Sequence, residues 1–359
     1  MRVGIAAAGS GGHVFPALAV ADALRGMGLS HDDIVFFGGN RMEATTVPEA
    51  GYRFIELDIH GMRRSLSSDN LRLALKVRKA ARVIESVVSM LDIGVMLAFG
   101  GYVSGPAAQA ANRASIPLAI HEANAVPGIA NRMVAGRADL VMVGCEEARG
   151  KLKQGIVVGN PLRKAFSDFD RASLTPVGLQ HFGLDGTSKV LGIVGGSLGA
   201  SALNDIAERI ATDERRDFTI IHLCGRDHLD ALARTAADDP TWIVRAFEDD
   251  MTRLYAIADL VVSRAGAMTI AELEATGTPA IVVPLPAGRR YQERNAAELE
   301  RVGGALVMDQ ADGSSIVEAV FALMPDEGRR FDMAERARAI AHLDAAEQIA
   351  KRVLELIRG

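Results

Sequence analysis

Two strand–glycine-turn–helix units, one opening each half of the chain, constrain the fold more than any other feature. The first combines an apolar run at residues 3–7 with a glycine-rich turn at residues 9–13. The second combines residues 190–194 with a turn at residues 195–199, and both turns lead into apolar helix patterns. Short apolar runs are typical of buried parallel strands, and glycines after them let the backbone approach a ligand at a helix N-terminus. The pattern predicts two nucleotide-fold domains facing each other across a cleft.

Length and residue usage favour a two-domain α/β protein and exclude several classes. The chain has 359 residues, of which 49% are hydrophobic, enough to bury a sizeable core in each of two domains. Neither a secretory signal nor a membrane-spanning segment is predicted. Cys145 and Cys224 form no CxxC pair and the eight histidines show no HExxH spacing, so we expect no disulfide framework, no metal and a reducing cytoplasm.

Charge is divided unevenly between the two halves. The net charge of the whole chain is −5, made up of +4 over residues 1–163 and −9 over residues 164–359. An acidic protein is not expected to bind nucleic acid in general, whereas a basic N-terminal half can meet an anionic surface.

Strand-like and helix-like segments alternate along both halves, which predicts parallel sheets. A helix from Asn70 has a buried face at residues 73, 77, 80, 84, 87 and 91. The polar stretch 167–187 is interpreted as a linker, and residues 331–357 as terminal helices reaching back over the first domain. The predicted strands are residues 3–7, 34–37, 53–57, 93–98, 117–120, 139–143, 156–158, 190–194, 218–223, 242–244, 260–263, 280–283 and 305–307.

Neither glycine turn matches the dinucleotide-binding fingerprint. Gly9, Gly11 and Gly12 lack a third glycine at the expected spacing, and the next strand ends without the acidic residue that would hold a ribose. Hydride chemistry is therefore disfavoured, while phosphate binding by backbone N–H groups stays open.

Polar residues collect after three strands of the first half, where ligands bind in open α/β sheets. They are His13, Tyr102 with Ser104, and Glu122 with Asn124. His13 fits either a packed residue at a helix start or a general base for a sugar hydroxyl. Asn124 could simply be a turn residue and Glu122 a solvated carboxylate. The presence of polar groups after three strands at one edge of the sheet instead favours a functional role.

The second half offers a similar choice. Thr269 and Glu272 fit a capping box that starts a helix, or a diphosphate site at the helix N-terminus with Glu272 on ribose hydroxyls. Gln292 and Asn295 lie three residues apart on one helix face, a spacing suited to sugar contacts.

These motifs, taken in order, resemble the MurG family of UDP-N-acetylglucosamine transferases, and the resemblance runs from about residue 2 to about residue 310. Any single motif is weak evidence, but their number and order make the match specific. The segments are residues 9–17, 99–106, 121–124 and 159–163 in the first half, and 195–200, 247–251, 264–272 and 292–295 in the second.

The resemblance implies a GT-B architecture, with two Rossmann-like domains facing a deep cleft, and an inverting transferase without metal or cofactor. It implies transfer of GlcNAc from UDP-GlcNAc to the 4-hydroxyl of the MurNAc-pentapeptide of undecaprenyl-pyrophosphate-linked lipid I, giving lipid II and UDP in peptidoglycan synthesis. Other proteins of cell-wall synthesis would be partners, at the cytoplasmic face of the bacterial inner membrane. Alternatives are a UDP-GlcNAc 2-epimerase, another UDP-sugar-dependent GT-B enzyme, and a catalytically silent sugar-nucleotide-binding module.

The resemblance also implies a division of labour. Residues 1–163 would bind the acceptor and the membrane, residues 164–340 the donor, and residues 341–359 would pack back on the N-terminal domain. His13 would be the base. The implied acceptor residues are Ser10, Gly11, Gly12, His13, Tyr102, Ser104, Glu122 and Asn124. The implied donor residues are Arg163, Ser197, Ala267, Met268 and Thr269 on phosphate, Phe247 and Glu248 at uracil, Glu272 on ribose, and Gln292 and Asn295 on the sugar.

A membrane surface is predicted from the residues themselves. The helix that begins near residue 70 carries a basic stripe off its buried face, next to leucines that also miss that face. A basic rim around exposed leucines is how peripheral proteins sit on anionic lipid, although an ordinary solvated helix face has the same composition. The predicted surface consists of Leu66, Leu71, Arg72, Leu75, Lys76 and Lys79.

Overall fold

The computed structural model describes residues 2–59, 69–152, 154–196, 199–286 and 291–358, without the side chains of residues 69–74, 291 and 358. The chain divides into two compact units. Unit 1 comprises Met1–Lys164 with His342–Gly359, and unit 2 comprises Ala165–Ala341. Among the helices described, none is long and apolar enough to cross a membrane.

Unit 1 is built around a parallel sheet whose described strands follow the order β3-β2-β1-β4-β5-β6-β7. Its strands are β1 (Arg2–Ala6), β2 (Ile34–Gly38), β3 (Arg53–Glu56), β4 (Ile93–Ala98), β5 (Leu118–Glu122), β6 (Leu140–Val143) and β7 (Ile156–Val157). Its helices are α1 (Gly11–Gly26), α2 (Glu43–Glu49), α3 (Asp69–Leu91), α4 (Ser104–Ala114), α5 (Ile129–Val134), α6 (Glu146–Arg149) and, from the far end of the chain, α16 (Ala345–Arg358).

Hydrophobic side chains cover this sheet in two clusters. One joins α1 to α16, where Ile349 and Val353 are completely buried beside Val20 and Leu24. The other packs α3 and α4 against the strands through Ala80, Ile84 and a run of alanines on α4. Small residues on α4 let that helix approach α3 closely. On the predicted buried face of α3, Ala80 and Ile84 are buried, and Val77, Val87 and Leu91 are partly buried against the same cluster.

Unit 2 repeats the arrangement with the described strand order β10-β9-β8-β11-β12-β13, again parallel throughout. Its strands are β8 (Val190–Val194), β9 (Thr219–Leu223), β10 (Trp242–Arg245), β11 (Leu260–Ser263), β12 (Ala280–Val282) and β13 (Ala305–Val307). The helices are α7 (Lys164–Ser167), which begins at the unit boundary, α8 (Arg171–Phe182), α9 (Ser201–Ala211), α10 (Leu229–Thr235), α11 (Met251–Ile257), α12 (Ala267–Thr276), α13 (Tyr291–Arg301), α14 (Gly313–Leu323) and α15 (Glu327–Arg338).

The predicted strands are confirmed, each to within a residue or two of its ends. The interpretation of residues 167–187 as a linker is wrong, because most of that stretch forms α8 and packs on α11. Asp170 caps the helix by accepting a hydrogen bond from Ala172 N at 3.1 Å. The Arg171 guanidinium donates to the carbonyls of Ala256 and Ala258 at 3.1 and 3.2 Å, so polar contacts add to the packing of the buried Gly178 and Phe182.

Both sheets reverse their strand order beside the first strand, between β1 and β4 in unit 1 and between β8 and β11 in unit 2. This is the Rossmann order, and ligands of such sheets bind outside the carboxyl ends of the strands at the reversal. The loops after these four strands are therefore the positions where a site is expected.

Candidate active site

His13 lies in the first turn of α1, directly after the glycine-rich loop that follows β1. Its Nδ1 lies 3.2 Å from the Ser10 hydroxyl, which fixes the orientation of the ring. Burial lowers the pKa of His13, while the carboxylates of Glu122 and Glu43 oppose that shift. Because the shift is downward from 6.5, the imidazole is neutral at neutral pH and able to accept a proton.

The loop after β4 approaches His13 through two glycines in left-handed backbone conformations. Gly100 has φ of +103°, and a Cβ there would lie 3.0 Å from His13 Nε2. Gly101 has φ of +76°, and a Cβ there would lie 2.5 Å from the Ala8 carbonyl oxygen. Only glycine fits both the conformation and the space, so the β1 and β4 loops meet as one surface.

Tyr102 and Ser104 follow these glycines. The Tyr102 hydroxyl donates to Glu43 Oε1 at 3.1 Å, and burial together with Glu43 raises the pKa of Tyr102 to about 12. Ser104 is the first residue of α4 and is completely buried, yet its Oγ has no hydrogen-bond partner among the described residues. Buried hydroxyls are normally paired, so this one is available to a ligand or water at the helix start.

Glu122 organises the loop after β5. Its two oxygens accept hydrogen bonds from the backbone N–H of Asn124 and Gly128, both at 2.9 Å, and from the side chains of Asn124 at 3.2 Å and Asn131 at 3.0 Å. Glu122 is 4% exposed, so its interpretation as a solvated carboxylate is wrong. The neighbouring His121 ring bonds to the Gly159 carbonyl at 3.0 Å, and burial lowers the pKa of His121 to about 4.

Glu43 was missed by sequence reasoning. It opens α2, is 0% exposed, and bonds to the loops after β1, β2 and β4. The donors are Gly9 N at 3.3 Å, Gly39 N at 3.1 Å and the Tyr102 hydroxyl. The sequence does contain a signal for it. Glu43 follows β2 and the pair Gly38-Gly39, much as His13 follows β1 and a glycine-rich turn.

In unit 2, the loop after β8 begins with Gly195 and Gly196, and a Cβ on Gly195 would lie 2.8 Å from Ala200 N. Gly195 therefore lies against the residue that precedes α9, where a side chain would not fit. The predicted phosphate ligand Ser197 lies outside the described residues.

The loop after β11 leads to the N-terminus of α12. The helix begins at Ala267 with Gly266 as its N-cap, and the first intrahelical bond runs from Ile270 N to Gly266 O at 2.9 Å. The capping-box interpretation is therefore wrong, because Thr269 already lies inside the first turn. The backbone N–H groups of Ala267, Met268 and Thr269 are directed out of the helix end, where an anion binds best.

Glu272 lies one turn further along α12 and accepts a hydrogen bond at 3.1 Å from the hydroxyl of Tyr255. Tyr255 is buried, and burial followed by the nearby Glu272 charge raises its pKa well above 10. The tyrosine hydroxyl therefore stays protonated and holds the carboxylate in place.

The loop after β10 presents Phe247 outward and Glu248 inward, with exposures of 43% and 4%. Glu248 Oε2 lies 2.8 Å from His181 Nε2 and 3.5 Å from Arg245 Nη1, while its Oε1 lies 3.6 Å from Arg253 Nη1. Its Oε1 also accepts from Asp250 N at 3.1 Å. Because these four partners hold the Glu248 carboxylate, they also fix the backbone position of the preceding residue, Phe247.

Gln292 and Asn295 lie on α13 and bond to backbone atoms of two loops. Gln292 Oε1 accepts from Leu285 N at 3.0 Å, and Asn295 Nδ2 donates to the Ala265 carbonyl at 3.1 Å. Each thus ties α13 to a loop at the carboxyl edge of the sheet. Arg163 belongs to unit 1, where its guanidinium lies 5.3 Å from the Phe15 ring centroid.

The predicted membrane surface is described in part. On α3, Leu75 is 63% exposed and Lys79 is exposed, while Lys76 Nζ lies 3.3 Å from Asp58 Oδ1. Leu66 and the side chains of Leu71 and Arg72 lie outside the described residues. The described part of the chain shows no group of three or more acidic, histidine or cysteine side chains that could hold a metal ion.

Comparison with known proteins identifies the family. Residues 3–143 match the glycosyltransferase family 28 N-terminal domain, and residues 190–353 match the glycosyltransferase family 28 C-terminal domain. A protein of Mycobacterium sp. (strain KMS), named UDP-N-acetylglucosamine--N-acetylmuramyl-(pentapeptide) pyrophosphoryl-undecaprenol N-acetylglucosamine transferase, is 37% identical over 99% of this chain and 95% of its own length. The protein of that name from Mycobacterium tuberculosis (strain ATCC 25177 / H37Ra) is 37% identical over 100% of this chain and 90% of its own length.

Solved structures agree on the fold. The crystal structure of Acinetobacter baumannii MurG is similar with a TM-score of 0.77 and 29% identity, covering 99% of both chains. A glycosyltransferase from Rickettsia africae, 10% identical with a TM-score of 0.67 over 99% of this chain and 98% of its own, shares the fold alone. The fold is thus the GT-B arrangement of two Rossmann-like α/β domains. From these matches over its whole length, the chain belongs to glycosyltransferase family 28 and, within that family, to the MurG transferases.

Proposed function

We propose that this enzyme transfers GlcNAc from UDP-GlcNAc to the 4-hydroxyl of the MurNAc-peptide of lipid I, giving lipid II and UDP in peptidoglycan synthesis. The observation that carries the proposal is 37% identity along the whole chain to relatives named for this reaction. The loops at the carboxyl edges of both sheets add polar and glycine-rich surfaces of the kind that such substrates need.

The proposed reaction is a single displacement that inverts the anomeric centre. The acceptor 4-hydroxyl oxygen attacks C1 of GlcNAc, the bond from C1 to the diphosphate oxygen breaks, and the bonding electron pair leaves with UDP. His13 takes the hydroxyl proton, for which its lowered pKa and its hydrogen bond to Ser10 prepare it. The α-linked donor then gives a β-1,4 bond.

Charge on the leaving diphosphate is stabilised by protein groups, without a metal ion. The N-terminus of α12 offers the backbone N–H groups of Ala267, Met268 and Thr269, and its dipole favours an anion. The family resemblance adds Arg163 and Ser197 as further proposed phosphate ligands, a cation and a hydroxyl.

The rest of the donor is recognised by unit 2. Phe247, exposed on a loop that the buried Glu248 fixes, packs against uracil. Glu272, held by Tyr255, accepts hydrogen bonds from the ribose hydroxyls. Gln292 and Asn295 contact the GlcNAc hydroxyls from α13, which they tie to the loops after β12 and β11.

The acceptor is bound by loops of unit 1. The unpartnered hydroxyl of Ser104 at the start of α4 is suited to a phosphate oxygen of the lipid diphosphate. Gly11 and Gly12 offer backbone N–H groups at the start of α1, and Tyr102, Glu122 and Asn124 complete the surface.

The direct test is to incubate the protein with UDP-GlcNAc and a short-chain lipid I analogue. We expect UDP release together with a product heavier by one N-acetylhexosamine, and NMR should show a β-1,4 linkage. Activity should persist in excess chelator. Formation of UDP-ManNAc without an acceptor would instead indicate an epimerase, and UDP binding without turnover a binding module.

We further propose that unit 1 associates peripherally with the cytoplasmic face of the inner membrane through α3. Exposed Leu75 and Val83 lie among the basic residues Arg78, Lys79 and Arg82, all outside the buried face of the helix. Between residues 75 and 91 the helix has four basic residues and one acidic residue. Each basic residue near an anionic surface contributes about 1 kcal/mol, which adds to the insertion of the apolar side chains.

Vesicle sedimentation at low and high salt tests this surface. We expect salt-sensitive binding to anionic vesicles, weak binding to zwitterionic ones, and a sharp loss with the combined substitutions Arg72→Glu, Lys76→Glu and Lys79→Glu. Lys351→Glu, at an exposed position on α16, is the matched control and should bind as the parent does. Parent-like binding of the triple variant would show that α3 is not the membrane surface.

A further inference from the structure

The proposed reaction assigns no role to Glu43, whose side chain is buried. Glu43 is the first residue of α2, the helix that follows β2, and it is completely buried. Removing a carboxylate from water is costly unless the protein replaces its hydration with hydrogen bonds. An apolar residue would fill the same space without that cost, so the charge is expected to serve the structure around it.

The two oxygens of Glu43 join three loops that are far apart in sequence. Oε2 accepts from Gly9 N in the loop after β1, and Oε1 accepts from Gly39 N after β2 and from the Tyr102 hydroxyl after β4. These loops lie at the carboxyl edge of the sheet. The loop after β1 leads into α1 at His13, and the loop after β4 contains Tyr102, both proposed acceptor residues. A single side chain therefore sets the spacing of the acceptor surface.

The loop after β2 is built to let Glu43 and Tyr102 approach. A Cβ on Gly38, the last residue of β2, would lie 2.8 Å from Phe54 Cε2 and 2.9 Å from Glu43 Cγ, and a Cβ on Gly39 would overlap the Tyr102 hydroxyl. Both glycines have ordinary negative φ, so backbone conformation does not demand them. Close packing requires them, because Gly38 lies against the Phe54 ring and the Glu43 side chain, and Gly39 lies against the Tyr102 hydroxyl.

We propose that Glu43 is a positioning residue for the acceptor, whose carboxylate holds the loops after β1, β2 and β4 in the arrangement needed for transfer. This inference rests on the proposed function, since it assumes that these loops bind the acceptor. Glu43 acts through Gly9, Gly39 and Tyr102 and is not itself required to touch substrate.

The charge of Glu43 has a second effect, on His13. Of the carboxylates that oppose the burial effect on the His13 pKa, Glu122 contributes more and Glu43 less. When His13 accepts the hydroxyl proton, both negative charges favour the imidazolium that forms. Loss of the Glu43 charge therefore lowers the pKa of His13 and moves the acid limb of the activity profile to lower pH.

The test compares Glu43→Gln and Glu43→Asp with Glu49→Gln, an exposed carboxylate at the end of the same helix. Steady-state kinetics with a lipid I analogue are measured from pH 5 to 9, and UDP affinity is measured by calorimetry. For Glu43→Gln we expect kcat/KM for the acceptor to fall at least tenfold, UDP affinity to stay within twofold, and the acid limb to move to lower pH. Glu43→Asp should lose acceptor turnover but keep the acid limb in place, because it retains the charge and loses the reach.

The outcomes separate this inference from the proposed function. No transfer by the parent protein would contradict the function itself, whatever the variants do. An active parent with Glu43→Gln matching it in acceptor kcat/KM and pH profile would overturn the positioning role. If Glu43→Gln does not fold by circular dichroism, Glu43→Asp decides, and parent-like acceptor kinetics in that variant would overturn the role. Glu49→Gln should behave as the parent throughout.

Discussion

The contact between Glu272 and Tyr255 allows the proposed ribose role of Glu272 to be separated from its structural role. Tyr255 is buried and donates to Glu272 Oε2 at 3.1 Å, while the carboxylate itself is only partly buried. Glu272→Gln keeps an amide oxygen that can accept from Tyr255 and removes the charge. We therefore expect this variant to weaken donor binding, and to lower stability less than complete removal of the side chain does.

The size of the effect follows from the kinds of hydrogen bond involved. A bond to a charged group contributes about 1.5–3 kcal/mol and a neutral one about 0.5–1.5 kcal/mol. The difference of about 1–1.5 kcal/mol corresponds to a Kd for UDP about five- to twelvefold weaker. Glu272→Ala would instead leave the buried Tyr255 hydroxyl without an acceptor, at a cost of about 1–3 kcal/mol of stability, or roughly 2–4 °C in Tm per kcal/mol.

Calorimetry with UDP and with 2′,3′-dideoxy-UDP locates the interaction. The parent should bind the dideoxy compound more weakly than UDP, and Glu272→Gln should show a smaller difference between the two, because the bond to the ribose is already weakened. Tyr255→Phe serves as the matched control for loss of the internal contact. If Glu272→Gln weakens both compounds by the same factor, or neither, the carboxylate does not bind ribose.

Further substitutions test unit 1 and the pH dependence. His13→Ala should lower kcat by about 10²–10⁴-fold with UDP affinity unchanged in calorimetry; turnover near that of the parent would remove His13 from the mechanism. Gly101→Ala, at φ of +76°, should lower the Tm and the acceptor turnover. Gly136→Ala, whose added Cβ would have no atom within 4 Å, should change neither. Burial lowers the pKa of His121 and of His222 from 6.5 to about 4. Between these two pH values the unfolded state binds more protons than the folded state, so the free energy of unfolding should fall as pH drops from 6.5 towards 4. Urea titrations at pH 7 and 5 measure this, and a fall of equal size in a variant with both histidines replaced by glutamine would contradict it.

Most of the fold could be predicted from the sequence because buried parallel strands are short apolar runs. The runs at residues 93–98 and 190–194 illustrate this, since each is followed by glycines that mark the strand end. Helix α8 was missed for a related reason. Its apolar face is short, with only Gly178 and Phe182 buried, and Arg171 and Thr175 add hydrogen bonds to carbonyls of α11 and the turn after it, so the apolar pattern is too weak to indicate a helix.

The candidate site could be predicted where a polar residue lies at the end of a strand, as Glu122 does, or just beyond a glycine-rich turn after a strand, as His13 and Tyr102 do. What could not be predicted is how such residues are held. The buried position of Glu248 depends on His181, which lies on the unrecognised helix α8, and nothing local to residues 247–251 indicates it. Glu43 shows the same limit. In the sequence, a single glutamate at a helix start is indistinguishable from a surface residue, and only the folded structure brings together the three loops to which it bonds.

The return of α16 to unit 1 has a consequence for synthesis on the ribosome. Ile349 and Val353 are completely buried against α1, so the part of the core that they share with Val20 and Leu24 is incomplete until the chain has been made beyond them. Unit 2 is continuous in sequence, from Ala165 to Ala341, and has all its strands before that point. Domains made during translation usually fold in the order of their synthesis. Here the later unit can finish folding first, while the unit that begins the chain waits for its last helix and exposes the apolar surface of α1 until then.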